Sequence, residues 1–61
     1  MNNPQTYQIR TKDKVLHSAA LPMYFMEMAI KEATERQEMI VVQDNVSCTV
    51  ACTVDKFGRV M

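Results

Sequence analysis

The side chains in this 61-residue chain that could do chemistry are two thiols, Cys48 and Cys52, one imidazole, His17, with a hydroxyl beside it, Ser18, and a short basic row, Arg10, Lys12 and Lys14. A thiol that attacks or ligates must be exposed, or close to positive charge, to form a thiolate. Neither cysteine has a basic sequence neighbour. Both lie in Val46-Ser47-Cys48-Thr49-Val50-Ala51-Cys52-Thr53-Val54, which alternates apolar or thiol with small or hydroxylated residues. That is the period of a strand with one buried face, and it predicts both cysteines among valines, as small apolar filler. On such a strand they stand roughly 13 Å apart at about 3.3 Å per residue, past the roughly 7 Å limit of a disulfide. One histidine and two cysteines cannot close a four-ligand zinc site without a carboxylate or a second subunit. No metal or cofactor is therefore expected.

His17 is the only side chain whose ordinary pKa lies near neutrality, so a proton-transfer mechanism would have to recruit it. Ser18 lacks the glycine elbow that exposes a nucleophilic serine. Together they read as a helix lead-in with a capping hydroxyl, and no enzymatic activity is expected. Arg10, Lys12 and Lys14 alternate, so on a strand they would project to one side and follow a phosphate backbone, with Tyr7 near enough to stack on a base. This gives the alternative reading, a nucleic-acid-binding regulator using Tyr7, Arg10, Lys12 and Lys14. Asp13 interrupts the row, and a charged row is also how strand edges are guarded. Seven basic and seven acidic residues cancel, so net charge draws the chain to neither nucleic acid nor an anionic membrane.

Elements must position these groups. Gln5 to Thr11 alternates and predicts a first strand. Lys12-Asp13-Lys14 is a polar turn. Val15-Leu16-His17 fits either a short second strand or the approach to a helix. Ser18 and Pro22 signal a helix start between Ala19 and Pro22, and the helix runs through Gln37 on strong helix formers without glycine. Its core stripe gathers Phe25, Met26, Ala29, Ile30 and Ala33, with Glu27, Lys31, Thr34 and Glu35 opposite. Glu27 with Lys31, and Glu32 with Arg36, are spaced for exposed ion pairs. Tyr24 and Met28 fall outside the stripe, one turn apart, and form the candidate partner-binding pair. Met39 to Gln43 is a β-branched run, and Asp44-Asn45 suits a two-residue hairpin loop. That loop sets Val41 across from Cys48 and Met39 across from Val50. Asp55 to Arg59 reads as a turn before Val60 and Met61.

The chain is thus expected to be a single α+β domain, residues 1–61. Its fold is a small antiparallel sheet of three strands, four if Val15–His17 pairs, with one amphipathic helix packed on it in the order β-α-β-β. So short a chain buries only about 60% of its unfolded surface, so a second copy is the expected support. One helix covers one face of a sheet, leaving the other to water or a partner. The polar N-terminal stretch has no secretion signal and no run long enough for a bilayer, and the thiols suit a reducing compartment. The function expected is that of a small cytoplasmic accessory or adaptor protein that binds another protein, as a homodimer. Its size is that of many small bacterial or mobile-element proteins.

Overall fold

The computed structural model describes residues 5–61, and positions 1–4, read above as part of a stretch without a secretion signal, lie outside them. Five elements follow one another: β1 (Tyr7–Arg10), β2 (Val15–Ala20), α1 (Phe25–Arg36), β3 (Ile40–Asp44) and β4 (Val50–Val54). The strands form one antiparallel sheet in the order β2-β1-β3-β4. The helix lies over β3, with β1 and β4 to either side. The class is α+β, as expected, with four strands. The order is β-β-α-β-β, which corrects the expected β-α-β-β.

Thr11 is the reason for the added strand. Its hydroxyl accepts the N–H groups of Asp13 (3.2 Å) and Lys14 (3.0 Å), and its own N–H donates to the Lys14 carbonyl at 2.8 Å. This hydroxyl turn reverses the chain at once, and Thr11 itself is only 2% exposed. Ser18, read as a helix-start signal, and Ala19, the earliest expected helix position, are therefore held extended in β2 beside β1, and Ser18 caps nothing. A separate turn intervenes, in which the Leu21 carbonyl accepts from Tyr24 and Phe25, both at 3.0 Å. The helix starts only at Phe25, with Pro22 in the preceding turn. It ends at Gln37, whose left-handed backbone (φ 55°) returns its N–H to the Ala33 carbonyl.

The second hairpin differs from expectation in loop and register. The Asp44 carboxylate accepts from the N–H groups of Val46 (2.7 Å) and Ser47 (3.1 Å), winding the chain into a longer loop closed by Cys48 N–H on the Asp44 carbonyl at 2.8 Å. Cys48 takes the left-handed conformation there, φ 61°. Val42 consequently pairs with Cys52, Val41 with Thr53 and Ile40 with Val54, in place of Val41 with Cys48 and Met39 with Val50. A register shift between Val42 and Gln43 then sets Gln43 across from Val50, leaving Ala51 as an extra residue. The bulge breaks the alternation, so Val50 and Cys52 face opposite ways although they are two apart.

The core is small. Ile9, Ile40, Val42 and Val54 from the sheet meet Ala29 and Ala33 from the helix, all with no exposure, and Ala20 closes the cluster. Two alanines one turn apart let the helix approach closely, and Phe25 stacks on Tyr7 with centroids 4.0 Å apart. Beyond β4, Asp55 caps a turn by accepting from Phe57 and Arg59, both at 2.9 Å. The chain then returns along β4, with Met61 N–H on the Thr53 carbonyl at 2.8 Å and Val60 bridged to Val54. Gly58 is required in this turn: its φ is +85°, and a Cβ would meet Thr34 Cγ2 at 3.2 Å.

The two left-handed residues give tests of opposite sign. Cys48→Asn, which suits that conformation, should raise unfolding stability by about 0.5–1 kcal/mol, and Gly58→Ala should lower it by more than about 1 kcal/mol. Urea unfolding followed by circular dichroism measures both.

Candidate functional site

The groups with reactive potential are dispersed over the fold. His17, on β2, places Nε2 3.2 Å from Glu32 Oε2, and Arg36 Nε donates to Glu32 Oε1 at 2.8 Å. The helix thus presents one carboxylate to a guanidinium and an imidazole. The hydrogen bond from Arg36, then that from His17, holds the Glu32 carboxyl below its ordinary 4.5. His17 is therefore a tie between the edge strand and the helix, and no hydroxyl nucleophile stands with it. Ser18 contributes its carbonyl to the Asn45 side chain at 2.8 Å.

The cysteines separate. Cys52 faces the core beside Val42, and burial pushes its thiol pKa up. Cys48 is exposed on the hairpin loop, against the expectation that both thiols would be core filler. The loop that the Asp44 carboxylate winds is what lifts it out of the strand. Among the described residues no group of three His, Cys, Asp or Glu could hold a metal ion, and no pocket is present.

The expected nucleic-acid row does not assemble. Tyr7 and Arg10 are three residues apart on one strand and so face opposite sides. Tyr7 is on the helix side, stacked against Phe25, so its ring is not open to a base. Arg10 is on the opposite face, donating through Nε to the Thr11 carbonyl at 3.2 Å. Lys12 and Lys14 belong to the exposed turn and share no strand face with it. The proposed partner pair is also split, since Met28 is half-buried against the core while Tyr24 is exposed at the start of the helix. Because Phe25 anchors the helix on Tyr7, the stripe is turned toward Met28 and away from Met26, which lies outside the core cluster.

Tyr24 has other company. Leu21, Met23 and Tyr24 form the corner between β2 and α1, exposed by 49%, 76% and 50%. Val46, 60% exposed, stands on the β3–β4 loop at the same end of the sheet. Asn45 ties that loop to β1 and β2: its side chain donates to the Ser18 carbonyl and to Thr6 Oγ1 at 3.0 Å, and its N–H donates to the Thr6 carbonyl at 3.0 Å. The loop is further braced by the Asp44 carboxylate, held below its ordinary pKa by the N–H groups of Ser47 and Val46. Leu21, Met23 and Val46 were not singled out in the sequence. The available signal was the run Leu21-Pro22-Met23-Tyr24, apolar with no helical or strand period, but a helix start there would have given it a periodic environment.

Comparison with protein-family models, with curated proteins and with solved structures returned no match to this chain. No described helix is long and apolar enough to cross a membrane.

Two measurements check this layout. An aromatic disulfide reagent should label Cys48 rapidly in the folded protein and Cys52 only on unfolding; equal rates would refute the placement. Because the Glu32 pKa is lowered on folding, its contribution is complete above about 4.5 and is lost as pH falls through the lower folded value. Glu32→Gln should therefore cost less than about 1 kcal/mol at pH 7, and that cost should vanish in acid, as the partly exposed ion pairs imply.

Proposed function

We propose that this chain is a small cytoplasmic adaptor that acts by binding protein, and that its first partner is a second copy of itself. The supporting observation is the apolar corner of Leu21, Met23, Tyr24 and Val46, held in shape by Asn45 and Asp44. Apolar side chains this exposed and gathered at one end of a sheet are what partners cover, whereas scattered ones need no explanation. The aromatic and the methionine suit the role, since both give large contact area and adapt to their partner. A fully buried core of seven apolar residues adds a reason for association, because so small a core leaves little margin. The two free thiols suit a reducing cytoplasm.

Sedimentation velocity from about 1 µM to about 1 mM spans the affinities of interest. The wild-type mass should rise from one chain to two across that range. The double variant Leu21→Glu with Tyr24→Lys, both at exposed positions, should keep its circular dichroism spectrum and weaken association about tenfold or more. A wild type that stays monomeric throughout would end the homodimer reading, and a double variant that associates like wild type would remove the corner from it. Retention on mixed single-stranded DNA at low salt would favour the nucleic-acid alternative instead.

A further inference from the structure

The sheet has two edges, and the fold treats them differently. Along β4, Val60 and Met61 pair with Val54 and Thr53, so the C-terminal end of that edge is occupied by the chain itself. Along β2, nothing among the described residues pairs on the outer side. An open edge presents unpaired N–H and C=O groups to any extended segment, and natural sheets guard such edges with Lys, Pro or inward charges in the sequence and with bulges in the backbone. The β2 sequence, Val15-Leu16-His17-Ser18-Ala19-Ala20, contains no Lys, no Pro and no fixed charge, and its only guard is bulging against β1. Its only ionisable side chain, His17, is turned to Glu32 on the helix.

The geometry points to the β2 edge as the seam of the homodimer, with β2 of one copy pairing antiparallel to β2 of the other across a twofold axis near Ser18. This inference rests on the self-association proposed above and names its surface. Three features favour a second copy as the occupant. Antiparallel pairing of this strand with itself brings no fixed charges together. It sets Val15, 45% exposed, against the Ala20–Leu21 end of the partner strand, so the apolar ends of β2 meet. It also closes: the pairing is isologous, so each copy uses its β2 edge on the other, and the outer β4 strands of the resulting eight-stranded sheet are covered at Thr53 and Val54 by Val60 and Met61.

The two register shifts of β2 against β1 set the strength of the seam. They fall between Tyr7 and Ile9 and between Ile9 and Arg10, each giving β2 one residue more than β1. Bulges twist an edge and interrupt its ladder, so the seam is short and the dimer dissociates on dilution.

Ser18 is exposed, and the test places charge there. In sedimentation velocity, Ser18→Lys and Ser18→Glu should each weaken self-association about fivefold or more, because like charges then meet across the axis. An equimolar mixture of the two should recover the dimer. If both variants associate like wild type, the seam is elsewhere and the homodimer reading survives; if wild type is monomeric, both fall. Hydrogen exchange of wild-type β2 amides supplies an independent readout should a variant unfold. Protection that rises with protein concentration supports the seam, and protection independent of concentration in a dimeric sample overturns it.

Discussion

Close contact between one short helix and one sheet face is the constraint on which everything else in this molecule depends. Ala29 and Ala33 present almost no side chain, so the helix settles directly over Ile40 and Val42 of β3, with Ile9 and Val54 from the strands on either side. A helix seated on the centre of a four-stranded sheet leaves the outermost strand without a lid. β2 is held by its ladder to β1, by Ala20 in the core and by the His17–Glu32 contact. Each of the unusual features of this fold lies at the margin of that coverage: the open edge, the apolar corner, and the loop that Asn45 fastens to Ser18.

Much of the architecture was legible in the residues. The strand at Tyr7, the helix stripe through Ala29 and Ala33, the β-branched strand at Ile40 and the Asp55 turn all carry periodicity or turn chemistry strong enough to survive folding. What failed has a common cause. Ser18 and Pro22 are good helix-start residues, yet the Thr11 hydroxyl turn commits the following residues to a hairpin before those signals act. Asp44 is a good loop residue, yet its carboxylate winds a longer loop than two residues, and the change of loop length moves the entire hairpin register. In both places a single side-chain oxygen accepting two backbone N–H groups outweighed the pattern read from the neighbouring residues.

The candidate site was less legible for the same reason. Alternation in the β4 region is unbroken in sequence, so nothing there announces the bulge at Ala51 or the left-handed Cys48. The thiols that looked equivalent became one core residue and one exposed residue. Tyr24 was found because it departs from the helix stripe. Leu21 and Met23 are invisible to that test because they precede the helix, and the exposure of Val46 because it depends on a loop whose length the sequence pattern does not give. Surfaces assembled from two loops depend on geometry that local periodicity does not encode.

An edge strand covered on neither its outer side nor fully by the helix is the least secured part of this fold, and that links stability to association. A partner pairing with β2 would satisfy the backbone groups the fold leaves open and would hold the His17 side of the sheet in place. It would also lie beside Leu21, which directly follows the strand, so the edge runs into the β2 side of the corner. In a chain whose charges cancel, that surface is where unfulfilled backbone hydrogen bonding and exposed apolar area coincide. Binding there would strengthen the folded state by mass action, so recognition at this edge and folding would draw on the same strand.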